Sequence, residues 1–491
     1  MKYLLGIDFG GGASKATLLC ENGEIVATST TEYPTNYPRP GYAEQNPHDW
    51  VDATCKNIHT VLEKSNVSPK DIVCISLDAA THTAVIMDEN FNVLRDSIYW
   101  TDTRSTKEVQ FLRDNYGEII EKQVLHKPDT IWSLPELMWI KDNEPKIWAK
   151  VKKVLFAKDF VRHFFTGDYV TDYIEAEGSM MFDINTMKWS EPLCSILGIS
   201  ADIMPEIVKP SDVVGTVTKE AAEITGLCEG TQVLCGTTDT VMEIFAAGAV
   251  KKGDMTLKLA TAGRICVITD KPYPDVNLIN YSHILDGLYY PGTATKSCAA
   301  SYRWFRDTFG GDYAELDSGA EKVAIGSDGL VFHPYLNGEL TPYANPNLCA
   351  DFVGVRASHT KAHFTRAVLE GVTMSMLDCK ETLESMSIEH GDNAIIIGGG
   401  GKSPLWRQMV SDALNMNLTE MKYADSSLGS AMLAGIASGI FKNPEDAVAK
   451  CNKVVSETLP NSENTVKYRE LFKKYKAVQK ALEPIYNGEY L

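Results

Sequence analysis

The apolar positions of the chain fall into three openings of related design. Over residues 3–19 an apolar run meets Gly10-Gly11-Gly12 and resumes as Ala16-Thr17-Leu18-Leu19, which predicts a β-hairpin turning on glycine. Residues 255–267 repeat the plan, with Ala260-Thr261-Ala262-Gly263 as the small-residue turn. The third opening, Ala394-Ile395-Ile396-Ile397, runs into Gly398 to Gly401 and then into a helical stretch over 404–415. A buried strand feeding a glycine turn and a helix is a usual arrangement on the nucleotide side of α/β proteins. Helical periodicity marks 46–64, with Asn46 as N-cap and Pro47 at the first helical position. It also marks 363–385, apolar at Phe364, Ala367, Val368, Val372, Met376 and Leu377, and the small-residue stretch 428–439. Strands alternating with helices predict an α/β fold. The matching hairpins near residues 4 and 256 suggest a duplicated architecture whose halves meet near 245–253.

Composition narrows the class. The 491 residues, 44% hydrophobic and 23% charged, allow two or three domains with sizeable cores and exclude disordered and low-complexity readings. No apolar run approaches the ~20 residues that span a bilayer. The opening residues lack the apolar stretch and cleavage site of a signal peptide. Net charge is 47 − 65 = −18 with no basic run, so nucleic acid is not an expected partner, and neither is a membrane. The 11 cysteines are scattered without a Cys-x-x-Cys, which leaves zinc ribbons and thioredoxin-like motifs unsupported. The expectation is a reduced, cytoplasmic protein. A homodimer is compatible with the sequence and not required by it.

Chemistry concentrates in a few segments. The turn at 10–12 would present backbone amides to a phosphate, and Asp8 just before it could hold Mg²⁺; a plain glycine hairpin with Asp8 in a turn hydrogen bond is the alternative. Two decoys fail. The third glycine of a dinucleotide fingerprint counted from Gly10 would be Lys15, and Gly401-Lys402-Ser403 lacks the P-loop's first glycine, that position being Ile396. Asp239, in Gly236-Thr237-Thr238-Asp239-Thr240 after an apolar run, is placed either as a general base or as a helix N-cap. His359 and His363 have zinc-compatible spacing but lack the accompanying Glu and sit at a helix start. His82, among small and apolar residues, reads from its surroundings as a core histidine.

Taken together these segments resemble the FGGY carbohydrate kinases, the sugar-kinase branch of the actin/hexokinase/chaperone ATPase superfamily, from about residue 3 to about 480. Gly6-Ile7-Asp8-Phe9-Gly10 resembles the family's first phosphate loop. Gly41-Tyr42-Ala43-Glu44-Gln45-Asn46-Pro47 is similar to its Gly-Trp-x-Glu-Gln-Asp-Pro, and Trp100-Thr101-Asp102-Thr103-Arg104 to its Trp-Asn-Asp-x-Arg. Pro334 to Glu339 with Thr341-Pro342, and Arg366 to Val372, resemble the C-terminal signature. Gly398 to Gly400 with Ser403, Trp406 and Gln408 resembles the adenosine-side loop.

The resemblance implies two RNase H-like α/β domains flanking a catalytic cleft, 1–247 mainly sugar-binding and 248–491 mainly ATP-binding. It implies ATP and Mg²⁺ as cofactors and a small sugar as substrate, most simply a ketopentose such as D-xylulose phosphorylated at its 5-hydroxyl. Ribulose, gluconate, erythritol and glycerol stay open as substrates; a chaperone-like or actin-like ATPase and a sugar-binding pseudokinase stay open as classes. By the same resemblance Asp239 is the catalytic base, with His82, Thr81, Trp100, Asp102 and Asp239 on the sugar. Gly10, Gly11, Gly12, Lys15, Thr261, Gly263, Gly399, Gly400 and Ser403 are on the nucleotide, and Asp8 is on the metal. The chain departs from the family pattern at Gly11-Gly12, where Thr-Ser is usual, at Ala260, at Leu340, and around the sugar at Asp78, Ala80 and Thr81.

Overall fold

Strand pairing follows the same order of directions in two separate sheets. The computed structural model describes residues 1–275 and 277–489. The first sheet contains β1 (Tyr3–Phe9), β2 (Ala13–Cys20), β3 (Ile25–Glu32), β4 (Ile72–Ala79), β5 (Val213–Thr216), β6 (Gln232–Leu234) and β7 (Thr237–Thr238). Its order is β3-β2-β1-β4-β6-β5, with β7 beside β4. From β3 the pairings run antiparallel, antiparallel, parallel, parallel, antiparallel. The second sheet contains β8 (Met255–Leu259), β9 (Gly263–Val267), β10 (Gly292–Ala294), β11 (Asn393–Ile397), β12 (Asn417–Met421) and β13 (Val454–Thr458). Its order β10-β9-β8-β11-β12-β13 gives the same succession of directions. The two hairpins that suggest a duplication are the matching halves of these sheets, and the RNase H-like reading holds.

The chain divides into two compact units. One comprises Met1–Gly248, Tyr281–Asp286 and Tyr423–Asn452; the other comprises Ala249–Asn280, Gly287–Lys422 and the described residues from Lys453 on. The first is built on Leu5, Ile7, Leu18, Ile75 and Leu77, the second on Leu257, Leu259, Val368, Val372 and Val410. Each such side chain is fully buried and contributes about 1.5–3 kcal/mol.

Local signals set the helices. Helix Pro47–Ser65 is capped by the Asn46 side chain, which accepts from the His48 amide at 3.1 Å, and ends at Asn66 with φ 55°. Helix Lys361–Ser385 opens on a capping box between Thr360 and His363, which gives that histidine a structural use. Helix Ser426–Ala437 begins two residues before the small-residue stretch predicts. It belongs to the first unit and packs on β1 so closely that a Cβ on Gly6 would lie 1.9 Å from the Ser427 carbonyl oxygen. Among the described residues, no helix is long and apolar enough to cross a membrane.

Candidate active site

Three acids meet at the ends of β1, β4 and β7 in the first unit. Asp8 and Asp78 are register partners across the parallel pair β1–β4, and Thr237 of β7 is the partner of Asp78 on the other side. Asp239 follows as the first residue of helix Asp239–Ala247; its N-cap is Thr238, so the capping reading of Asp239 does not hold. The turn into β7 needs glycine at 236: φ is 72°, and a Cβ would lie 1.9 Å from the Leu77 carbonyl oxygen.

Burial, then the charge of Asp239, pushes Asp8 up to about 7. Burial, then the charge of Asp8, holds Asp78 well above the ordinary carboxylate range. Asp78 Oδ2 accepts the Ser430 hydroxyl. Asp8 Oδ1 and Asp78 Oδ1 meet no donor among the described residues. Buried acceptors left without a donor suit a hard divalent cation. Among the described residues, no group of three or more His, Cys, Asp or Glu side chains is placed to hold a metal ion.

The glycine turn beside them has its carbonyls tied back. Gly10 O accepts the Tyr33 hydroxyl at 2.5 Å, Gly11 O accepts Gln45 Nε2 at 3.0 Å, and Gly12 O accepts the Tyr33 amide at 3.0 Å. The exposed amides of Gly11 and Gly12 take no part in the turn's backbone bonding. A turn with its carbonyls held away and its amides free is an anion cradle. Lys15, the register partner of Asp8, is ion-paired with Asp425.

The strap after β4 carries the sugar-side candidates. Thr81 is buried and His82 is half-buried with φ 59°. The His82 amide donates to Glu175 Oε1 at 2.6 Å, and its carbonyl accepts the Ser133 hydroxyl at 2.6 Å. Its ring meets the edge of Trp132 at 4.8 Å, Trp132 stacks on His126 at 4.2 Å, and His126 lies 4.7 Å from Tyr281. Gly178 closes this cluster, since a Cβ there would come within 3.0 Å of His82, Thr81 and Tyr281. Trp100 is 41% exposed beside Tyr99. Both oxygens of the buried Asp102 are already engaged, Oδ1 by the Arg104 amide at 2.8 Å and Oδ2 by the Ala43 amide and Arg104 Nη2 at 2.6 and 2.7 Å. Arg104 stacks over Tyr42 at 3.8 Å.

The second unit holds the other glycine turns. The Ala260 and Thr261 carbonyls accept the Ala299 and Cys298 amides at 2.7 and 2.9 Å, which ties this turn as the first one is tied. Thr261 is exposed, while Gly263 is buried with its amide donated to Thr295 Oγ1 at 3.0 Å. After β11, Gly399 is exposed and Gly400 packs under Trp406. The Ser403 hydroxyl donates to Asp317 at 2.7 Å, and the Tyr302 hydroxyl donates to the other oxygen of Asp317 at 2.6 Å. Sequence reasoning misses Trp132, Glu175, Tyr281, Tyr302 and Asp317. Each sits in an ordinary helix or loop pattern and reaches its site only through tertiary packing.

The chain matches known proteins over nearly its whole length. Residues 3–246 match the FGGY family of carbohydrate kinases, N-terminal domain, and residues 265–438 its C-terminal domain. The chain is 32% identical to the xylulose kinase of Bacillus subtilis (strain 168) over 97% of each chain. It is 30% identical to the gluconokinase of the same organism, over 99% of this chain and 97% of that one. The crystal structure of xylulose kinase from Rhodospirillum rubrum superposes with a TM-score of 0.92 at 26% identity, covering 99% of this chain and 100% of that one. Paired glycine hairpins, the acids at the strand ends and matches to both family domains lead to one conclusion: the chain belongs to the FGGY family of carbohydrate kinases.

Proposed function

We propose that the chain transfers the γ-phosphoryl group of MgATP to a hydroxyl of a small neutral sugar, a ketopentose such as D-xylulose, giving the 5-phosphate. The observation that carries this reading is the meeting of Asp8, Asp78 and Asp239 at the strand ends beside a glycine turn with free amides. Asp239 takes the proton of the sugar hydroxyl as its oxygen bonds to the γ-phosphorus and the bond to the bridging oxygen of ADP breaks. Asp8, with Asp78 beside it, would hold Mg²⁺, which would supply positive charge to offset that on the phosphoryl oxygens. The amides of Gly11 and Gly12 and the Lys15 side chain face phosphate. In the second unit Thr261, Gly399 and the Ser403 turn take the nucleotide, Gly263 supports the loop by packing, and Gly400 does the same. On this division the first unit serves mainly the sugar and the second mainly ATP, in the cytoplasm where both are found.

His82, Thr81, Trp100 and Asp239 face the sugar, with Asp102 shaping the loop at 41–44. Relatives named xylulose kinase and gluconokinase match at similar identity. A neutral sugar suits the His82 strap, whose described neighbours include the Glu175 carboxyl, the Ser133 hydroxyl and the Trp132 ring. The test is sugar-dependent ADP release over D-xylulose, L-xylulose, D- and L-ribulose, gluconate, erythritol and glycerol. Turnover on a ketopentose supports the reading; turnover on gluconate alone replaces the substrate; no stimulation by any sugar overturns the kinase assignment for this chain.

A further inference from the structure

Beneath the strand ends of the first unit lies a network of charges with no exposure to solvent. Lys158 Nζ is ion-paired with Asp172 Oδ2 at 2.9 Å and with Asp159, and all three side chains are 0% exposed. Arg162 Nη1 bonds Asp159 at 2.7 Å and donates to the Cys235 carbonyl at 2.8 Å. Cys235 and Gly236 form the turn into β7, so Arg162 fixes that turn from below.

Asp172 Oδ1 serves two elements at once. It accepts the Thr237 hydroxyl at 2.7 Å, two residues before Asp239. It also caps helix Tyr173–Gly178, accepting the Ile174 and Glu175 amides at 3.0 and 3.2 Å. Glu175 then holds the His82 amide at 2.6 Å. One carboxylate oxygen therefore leads by two short paths to the base and to the sugar strap. Burying ions costs several kcal/mol unless each is fully paired, so an all-apolar packing would hold the same fold at least as well. What the ion pair adds is a charge partner for Asp172, with Lys158 Nζ 2.9 Å from its other oxygen.

We propose that the buried Asp172 carboxylate, ion-paired with Lys158, is a positioning device that through Thr237 sets Asp239 in register with the sugar strap at His82. The proposal rests on the reading of Asp239 as base and His82 as a sugar contact. Thr237, Asp172 and Lys158 are positioning residues that touch no reactant. A reacting group displaced by about 1 Å can lose about 100-fold in rate.

Thr237→Val and Thr237→Ser test this, because both keep the β-branch or the hydroxyl and leave the ion pair whole. Thr237→Val is expected to lower kcat about 10- to 100-fold, with KM for MgATP unchanged and melting temperature close to the wild type. Thr237→Ser, which keeps the hydroxyl, is expected to restore kcat. Asp239→Asn is measured beside them. If Asp239→Asn is inactive while Thr237→Val keeps full kcat, the positioning device is wrong and the base stands. A Thr237→Val loss that only follows the fraction of unfolded protein also overturns it. If Asp239→Asn stays active, or the wild type uses no sugar, the functional reading fails and the proposal falls with it.

Discussion

Asp8 and Asp78 stand level with one another on neighbouring parallel strands, where burial and then the charge of Asp8 raise the proton affinity of Asp78. An acid whose folded value lies above its unfolded one near 3.8 binds more protons folded than unfolded. Its contribution to stability therefore falls as pH rises from the unfolded value towards the folded one.

Asp78→Asn removes that penalty and leaves an acceptor for the Ser430 hydroxyl. The variant is expected to melt about 2–4 °C above the wild type near pH 8, with the gap closing towards pH 4 as the pH approaches the unfolded value near 3.8. Differential scanning fluorimetry across pH 4–8 reads this directly; a gap that widens on acidification would contradict it.

Mg²⁺ should reverse part of the same penalty. A cation placed between Asp8 and Asp78 competes with protons for those oxygens. MgADP is expected to raise the melting temperature more at pH 8 than at pH 6, and the difference should shrink in Asp8→Asn.

Asp239→Asn preserves shape and removes the carboxylate proposed as the proton acceptor. Loss of a general base costs about 10²- to 10⁴-fold. The expected outcome is a fall of that order in kcat with KM for MgATP little changed, measured by coupled ADP release.

The glycines divide into those that packing requires and those it does not. Gly236→Ala combines positive φ with a Cβ 1.9 Å from Leu77 O, and should cost more than about 3 kcal/mol or prevent folding. A side chain at Gly12 meets nothing within 4 Å. Gly12→Ser should melt within about 2 °C of the wild type, surface changes being near neutral, and should lower KM for MgATP by adding a donor at the phosphate turn.

Glu175 separates charge from hydrogen bonding. Burial holds its carboxyl well above the usual range, against the pull of Lys158. Glu175→Gln keeps an acceptor for the His82 amide and should leave sugar KM nearly unchanged. Glu175→Ala leaves that amide unpaired, at a cost of about 1–3 kcal/mol, and should raise sugar KM about tenfold.

What the sequence shows well is local. Asn46-Pro47 writes its own helix start, and both hairpins announce themselves by glycine or small residues between apolar runs. The resemblance singles out Asp8, Asp239 and His82 because each sits inside a short motif. Trp132, Tyr281 and Asp172 have no such frame. Trp132 meets His82 across some fifty residues of chain, and Tyr281 lies in a six-residue segment that joins the first unit from within the second half. The use of Asp102 is hidden for the opposite reason: its motif is plain, but only the structure shows its oxygens already held by Ala43 and Arg104.

Helix Ser426–Ala437 covers β1, the first strand of the chain, yet is made more than four hundred residues later. During synthesis the first unit must therefore wait, with the Gly6 face of its central strand bare, until residues 423–452 leave the ribosome. At about 5–20 residues per second that wait lasts tens of seconds. A fragment ending near residue 248 would be born with the same uncovered face, and its fate would be aggregation or capture by a chaperone rather than independent folding.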